Sequence, residues 1–469
     1  MKAIAIAVLL LLLSIPSYSQ TLNDFLQAAR RQSTTVMLAK KEQELAHVRF
    51  GGFRLSGKPS VELTGNIPGY NRDNTAVTQP DGTILFVPRS QTYGNAGVGF
   101  VQPLLFSGGN ISVNTELYRF DNLRTHTTRY NGTPVFLRLS QSLFNYNSYK
   151  WEKQIEPLRL QEATATYRLA ELQLDADICR LYFEVVSAQQ DTWLATNNLG
   201  YITTNLDNEK RKLQLGTTTE DKTLQLEMQL IRSRQQLLES GLQSRQMYRE
   251  LCTLAGNPDT SLRILQLPEN IPASLPDAAT SVERARKNLP AFIAFDRKRK
   301  EAAAKKEEAQ RQGRQVDLTA SYGLNNSSET IGAIYKNPQD QQRFSIGLRI
   351  PILDGGRRRN AVAQSKILEE QVLLQQKSET DKILLRIAVL SEDLLTLKNN
   401  ISQSLQLDTI AQKRFLISNR LFQSGKLSLL EWQSAQTEKD NAHRGYVLAL
   451  QRFWETWYAF RVATNTPEN

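Results

Sequence analysis

The stretch Phe344-Ser345-Ile346-Gly347-Leu348-Arg349-Ile350-Pro351-Ile352-Leu353-Asp354-Gly355-Gly356 decides the fold. Phe344, Ile346, Leu348, Ile350 and Ile352 alternate with Ser345, Gly347, Arg349 and Pro351, the period of a strand with one apolar face. Gly355-Gly356 turns the chain into a long helix. In that helix Ile383, Ile387, Leu390, Leu394, Leu397 and Ile401 step by 4,3,4,3,4, a coiled-coil seam. Gly425 breaks the pattern, and a last helix runs to about Ala463. Upstream, residues 281–312 read as helix, and Val316, Leu318, Ala320, Tyr322 and Leu324 alternate with Asp317, Thr319, Ser321 and Gly323 as a second strand.

The same programme occurs earlier in the chain. Residues 21–49 read as a helix that Gly51, Gly52, Gly57 and Pro59 end. Alternating segments follow around Val61–Ile67, Ala96–Phe106, Ile111–Arg119 and Val135–Leu143, separated by turn-rich sequence such as Gln79-Pro80-Asp81-Gly82. A helix of about 67 residues runs from about Asn147 to Leu213, Gly216 breaks it, and a second runs to Leu254, where Gly256-Asn257-Pro258 stops it. Arg211, Gln214 and Gly216 match Arg420, Gln423 and Gly425 at an offset of 209, which also pairs Leu139 with Leu348, Asn145 with Asp354 and Ile178 with Ile387. The leading helices align at 256, pairing Ala29 with Ala285 and Arg30 with Arg286. The difference, 256 − 209 = 47, is extra sequence in the first strand region. The expected organisation is a tandem duplication: 20–256, a connecting segment at 257–280, then 281–469, with strand regions at 59–145 and 315–353.

Composition narrows the function classes. The 469 residues carry 58 Lys+Arg, 47 Asp+Glu, two Cys and three His. Two Cys rule out a disulfide scaffold and a four-thiolate zinc site. The net charge of +11 would invite a nucleic-acid reading, but the N-terminus argues against it. Met1-Lys2, an apolar run from Ala3 to Leu13 and Ser17-Tyr18-Ser19 read as a secretory signal peptide over 1–19. No Cys follows the expected cut, so a lipid anchor there has no attachment residue. No other segment has 18 consecutive apolar residues, so the exported protein is expected to be soluble or a membrane β-barrel.

Physical limits favour the barrel. A helix of about 67 residues is roughly 100 Å long at ~1.5 Å per residue, and its narrow stripe must pack on other helices along its length. The strands have the length of tilted bilayer-crossing strands, with one face for lipid and one for a watery lumen. Four strands are evident, or six if the insertion adds a spanning hairpin, and the smallest membrane barrels need about eight. An open edge in lipid leaves unpaired backbone groups, so copies of the chain must share one barrel. Three copies would give twelve strands, or eighteen in the six-strand case. The fold class is therefore mainly α with membrane β: tandem-duplicated long helical hairpins plus about four strands per chain in a β-barrel that copies share.

These residues resemble the TolC-like outer membrane efflux protein family. The joints Leu139-Ser140-Gln141-Ser142-Leu143-Phe144 and Leu348 to Gly356 are similar to the family's strand-to-helix joints, and the second carries its apolar-Pro-apolar-x-x-Gly-Gly pattern. The tips Arg211-Lys212-Leu213-Gln214-Leu215-Gly216 and Arg420-Leu421-Phe422-Gln423-Ser424-Gly425 are similar to its basic-aromatic-x-x-Gly tips. Ala28-Ala29-Arg30 and Arg284-Ala285-Arg286-Lys287-Asn288 resemble its leading helix. The resemblance implies a homotrimer with a twelve-strand outer-membrane barrel and a long periplasmic α-barrel. It implies the passive exit duct of a tripartite efflux pump or type I secretion system. A periplasmic adaptor (membrane fusion) protein and an inner-membrane transporter of RND, ABC or MFS type would be the partners. By the same resemblance, Arg211, Leu215, Gly216, Arg420, Phe422 and Gly425 would dock the adaptor, and Phe144, Asn145, Pro351, Asp354, Gly355 and Gly356 would form the joints. The family's acidic residue six positions past the tip glycine corresponds to Glu431; Lys222 holds that place in the first half, with Asp221 beside it. A pore-mouth ring of Glu431, with Asp221 as a second candidate, would favour cations.

Other constellations have plainer readings beside the functional ones. Cys179 lies 37 residues before Gly216 and Cys252 lies 36 after it, so a disulfide and two buried free thiols are both open. Arg297-Lys298-Arg299-Lys300 reads as a solvated face or an anionic contact, and Arg357-Arg358-Arg359 as solvated or facing outer-membrane lipid phosphates. Phe144, Tyr146, Tyr149 and Trp151 suit a membrane interface or a packed core. His47, His126 and His443 have no partnered spacing, and no nucleophile motif or phosphate loop occurs. No enzyme activity, metal, cofactor or nucleic-acid partner is expected. The competing class is a soluble periplasmic coiled-coil adaptor, which would need only one hairpin.

Overall fold

The computed structural model describes residues 20–313 and 315–466. The export segment read in residues 1–19 lies outside them. In chain order the elements are α1 (Leu22–Gln32), α2 (Thr34–Ser56), β1 (Ser60–Thr78), β2 (Ile84–Leu104), β3 (Gly109–Asn122), β4 (Thr127–Leu143), α3 (Ser148–Gln214), α4 (Glu220–Ala255), α5 (Ala278–Asn288), α6 (Pro290–Arg311), β5 (Gln315–Ser328), the single turn α7 (Ile331–Ile334), β6 (Gln339–Arg349), α8 (Arg357–Gln423) and α9 (Leu429–Thr464).

Element lengths and spacings recur along the chain. Helices α3 and α8 both have 67 residues and begin 209 positions apart, and α4 and α9 both have 36 and keep that offset. Helices α1 and α5 both have 11 residues and begin 256 apart. The described chain forms two compact units: residues 20–44, 162–292 and 378–466 in one, 45–161 and 293–377 in the other.

The first unit is helical. Its main core gathers Leu22, Phe25, Leu26 and Ala29 of α1, Ile178, Tyr182 and Val185 of α3, Tyr248, Leu251 and Cys252 of α4, and Leu450 and Phe453 of α9. The seam of α8 behaves as its spacing demands: Ile387, Leu394 and Ile401 are buried, with Ile383, Leu390 and Leu397 packed beside them. The connecting segment is pinned to this core, since Leu265 bridges Gln20 and the Tyr182 hydroxyl donates to the carbonyls of Gln20 and Gln266. Cys179 and Cys252 are free and buried, so the disulfide alternative is not realised. Burial pushes both thiols up from their ordinary pKa.

The second unit contains one antiparallel sheet in the order β1-β2-β3-β4-β5-β6. Six strands is the larger of the two counts the sequence allows, because β1 and β2 form a complete hairpin ahead of β3 and β4. The apolar positions are in register across the sheet: Leu63 faces Val98, Phe100 faces Val113, Ile111 faces Leu139, Leu139 faces Ala320 and Ala320 faces Phe344. The opposite face carries Glu62, Asn114, Arg138, Ser321 and Arg343. The apolar face is uncovered, with Leu63 80%, Phe344 70% and Leu348 68% exposed.

Several boundaries differ from the sequence reading: β1 runs on to Thr78, β2 starts at Ile84, and the helix read over 281–312 breaks at Leu289. Helix α2 continues through Gly51 and Gly52 to Ser56, and the break falls instead at Ser33, whose backbone turns extended. Each glycine costs a helix about 1 kcal/mol, too little to end one of 23 residues. Strand β6 stops at Arg349 rather than reaching Ile352, because Pro351 has no N–H for a ladder.

The leading helix is held to α3 by more than apolar burial. Arg30 donates from Nε and Nη2 to the two carboxylate oxygens of Asp175, at 2.9 and 2.5 Å, and Asp175 is 1% exposed. Removing one partner of a buried pair costs about 3–5 kcal/mol when both ends are dry. Arg30 keeps a third of its side chain in solvent. Arg30→Ala should therefore destabilise the fold by about 2–3 kcal/mol, seen as a lower midpoint of thermal helix loss; an unchanged midpoint would show that the pair is decorative.

Candidate helix-tip docking sites and strand joints

Each helical hairpin of the first unit turns through one glycine. Gly216 has φ 70° and Gly425 has φ 75°. The two turns close with the same hydrogen bonds: Gly216 N to Leu213 O and Thr217 N to Lys212 O, then Gly425 N to Phe422 O and Lys426 N to Leu421 O, all 2.9 Å. This is the left-handed helix termination that favours glycine. A Cβ at either position would meet nothing within 4 Å. Backbone conformation, not crowding inside the chain, is what selects glycine, and the open space leaves room for a partner's backbone.

The tip residues singled out in the sequence divide into two sets. Arg211, Leu215 and Arg420 are exposed beside their glycines, Leu215 at 77%. Phe422 is not available for docking: it is 4% exposed and stacks on Trp432, ring centres 5.3 Å apart. It supports the tip from inside. Sequence reading missed the rest of that support. Asn205 of α3 donates to Oδ1 of Asn419 at 3.1 Å and accepts from Gln423 at 3.2 Å, while Trp432 Nε1 donates to the same Asn419 oxygen at 2.9 Å. Asn205 is 1% exposed, so these bonds satisfy a buried amide. A long polar side chain in a helical stripe carries no signature of this ladder in one sequence.

Glu431 and Asp221 are both exposed near the start of the helices that follow the tips. Glu431 Oε2 accepts from the Ser428 hydroxyl at 2.7 Å and from Ser428 N at 3.0 Å, and Ser428 Oγ accepts from Glu431 N, a complete capping box. These bonds hold the Glu431 carboxyl below its ordinary pKa. Asp221 accepts from Gln225 at 2.7 Å. Thr219, at the corresponding cap of α4, makes no side-chain cap bond. The first tip instead has Glu209, which is 4% exposed and bonded to Lys212 at 2.7 Å. Burial pushes that carboxyl up, but its hydrogen bonds outweigh burial and leave it below the ordinary value.

At the joints of the second unit, the chain enters α8 through Gly355 (φ 62°) and Gly356 (φ 82°), and Asp354 accepts from Gly356 N at 2.9 Å and Arg358 N at 3.2 Å. The first joint has no glycine, so Phe144 itself takes φ 62°, and Asn147 rather than Asn145 caps the helix by accepting from Lys150 N at 3.2 Å. Asn145 bonds the neighbouring Tyr146 N. Pro351 and Phe144 are exposed, as are Ile352 at 102% and Leu353 at 91%. Of the nearby aromatics, Tyr149 stacks on Phe53 at 5.0 Å and Trp151 donates to Glu307 at 2.7 Å, so those two are packed rather than free at an interface. Arg357 and Arg359 are exposed, whereas Arg358 donates to the Gln310 carbonyl at 2.8 Å. The basic run of α6 is partly neutralised: Arg297 pairs with Glu301 at 2.9 Å and Arg299 with Asp296 at 3.4 Å.

His443, which the sequence left without a partner, lies in the helical unit with ring nitrogens 3.2 Å from Asp408 and 3.1 Å from Gln190. Among the described residues no group of three His, Cys, Asp or Glu side chains could hold a metal ion. None of the described helices is long and apolar enough to cross a membrane.

Residues 276–466 match the family model described as outer membrane efflux protein. No curated protein sequence matches the chain. Among solved structures, the outer membrane protein VceC of Vibrio cholerae is 14% identical, with a TM-score of 0.67 over 95% of this chain and 96% of that one. The CmeC outer membrane channel of Campylobacter jejuni is 15% identical, with a TM-score of 0.66 over 95% and 85%. The MtrE outer membrane channel of Neisseria gonorrhoeae is 15% identical, with a TM-score of 0.61 over 95% and 88%.

The unequal caps predict unequal tips. A side-chain cap contributes about 1 kcal/mol, roughly a factor of five in local opening. Amides of residues 221–223 should exchange hydrogen about five times faster than those of 430–432; equal rates would show that the tips are held by something other than their caps. The carboxyl of Glu431 can be tested apart from the cap, because glutamine also completes a capping box. Glu431→Gln should lower cation-over-anion selectivity in planar bilayers without altering assembly, and unchanged selectivity would remove Glu431 from the pore mouth.

Proposed function

We propose that the chain, whose residues 276–466 match the family model described as outer membrane efflux protein, belongs to that family and works as one of three copies of an outer-membrane exit duct. The duct lies in the outer membrane, with its long helical hairpins in the periplasm. The observation that carries this reading is the six-stranded sheet, whose in-register apolar face is uncovered and whose first and last strands each pair on one side only. In water such a face would be a liability of about 25 cal/mol per Å². In lipid it is the required surface, and the edges demand partners.

The duct moves material passively. Energy and cargo choice belong to an inner-membrane transporter of RND, ABC or MFS type, reached through a periplasmic adaptor that docks at Leu215, Gly216, Arg420 and Gly425. Phe422 holds the second tip in shape. Arg357 and Arg359 meet phosphates of the outer-membrane lipids. The competing reading, a soluble adaptor, is disfavoured because it leaves the apolar sheet face without a solvent.

Fractionation of cells expressing the full chain should place it in the outer membrane as an oligomer that conducts ions in planar bilayers; recovery in the soluble periplasm would overturn the reading. In that background, Leu215→Glu combined with Arg420→Glu should abolish export while leaving assembly and conductance intact. Undiminished export by the double variant would move the docking site away from the tips.

A further inference from the structure

The geometry points to an eighteen-strand barrel: the β1 edge of one copy pairs with the β6 edge of the next, and the β1–β2 hairpin is part of the wall. This rests on the shared-barrel reading above and departs from the twelve strands that the family resemblance implies.

Three observations carry it. First, the β1–β2 hairpin crosses the same layer as the rest of the sheet. The ladder from Ser60–Val101 to Tyr70–Thr92 runs alongside most of β3, from Ser112 to Asp121, and its lipid-side positions continue the apolar face of the other four strands. Only the segment beyond Gln91, which is paired with Asn122 at the end of β3, extends past it.

Second, the turn between β2 and β3 lies at the level of the strand-to-helix joints. Gln102 donates to the Gly57 carbonyl, Gln141 to the Ser107 carbonyl, and Asn147 to the Leu105 carbonyl, at 3.1, 2.9 and 3.2 Å. This turn, Pro103-Leu104-Leu105-Phe106-Ser107-Gly108-Gly109, repeats the Pro-apolar-apolar-x-Gly-Gly character of Pro351 to Gly356 with one residue more. It also presents an exposed Phe106, at 85%, as the two joints present Phe144 and Ile352. The insertion has therefore added a membrane-crossing hairpin complete with its inner-rim turn.

Third, the edges match. Among the described residues β1 pairs only with β2 and β6 only with β5. With six strands the two edges run in opposite directions, so joining copies edge to edge continues the antiparallel pattern and closes without a parallel step. Strand β3 is paired on both sides and offers no edge to another copy. Three copies of six strands make eighteen. A barrel's diameter grows roughly linearly with strand number, so the outer-membrane opening would be about 1.5 times as wide as a twelve-strand barrel's, in the range that leaves an aqueous channel.

The test is disulfide trapping in membranes containing the full chain, whose native thiols are buried. Leu63→Cys on β1 is paired in turn with Phe344→Cys, Ile346→Cys and Leu348→Cys on β6, all on the lipid face. Within one chain these positions are five strand spacings apart, about 24 Å, so any bridge joins two copies. At least one pair should shift the heat-denatured, non-reduced band from monomer to dimer and trimer, and reductant should reverse it. The control set joins Val113→Cys on β3 to the same three β6 positions; a ladder from that set, or none from the β1 set in assembled oligomers, overturns the eighteen-strand wall. If a Leu63 variant does not reach the membrane, Val61→Cys, two residues along the same face, replaces it. A chain recovered as a soluble monomer would take down the duct reading as well, an outcome distinct from a membrane oligomer with the wrong cross-links.

Discussion

The backbone of a sheet edge in lipid has no water to bond, and this constraint governs the rest of the molecule. Every N–H and C=O within the hydrocarbon layer needs a protein partner. Among the described residues β1 and β6 each have one neighbour. On the proposed reading the missing partners come from other copies, and the sheet is one part of a shared wall. The uncovered apolar face, from Leu63 to Phe344, fits the same proposed environment, in which lipid rather than a packed core is its solvent.

The helical unit answers a different demand. Helices of 67 residues cannot bury their stripes against one short neighbour, and the chain has two hairpins of equal size, α3 with α4 and α8 with α9. At the tips, Gly216 and Gly425 provide the left-handed turn, and buried polar groups set the packing beneath the second. The Phe422–Trp432 stack and the Asn419–Asn205–Gln423 ladder hold the second tip in shape beneath its exposed residues.

Much of this was legible in the sequence because it rests on periodicity. The alternation at Val316–Leu324 and Phe344–Leu348, the seam at Ile383–Ile401 and the offsets of 209 and 256 all became elements in register. What stayed hidden depended on distance in space. Arg30 and Asp175 are 145 positions apart, and nothing in either neighbourhood announces their pairing. Phe422 looked like a docking residue because its motif position says nothing about which way an aromatic ring turns. The strand count stayed open because Asn66 to Asp73 reads as turn and the alternation at Ile111–Arg119 is weak, and only cross-strand pairing shows β1 and β3 running through them. Gly51 and Gly52 misled the helix boundary because single-residue propensity is weak beside a continuing helix.

The central claim is that copies of this chain complete one another's sheet within the outer membrane. Electron cryomicroscopy of the purified oligomer in lipid nanodiscs would test it most directly. The account predicts a single closed barrel on a three-fold axis, with each copy contributing six adjacent strands and β1 hydrogen-bonded to the next copy's β6. A separate sheet in each copy, with both edges open or covered by its own chain, would contradict it.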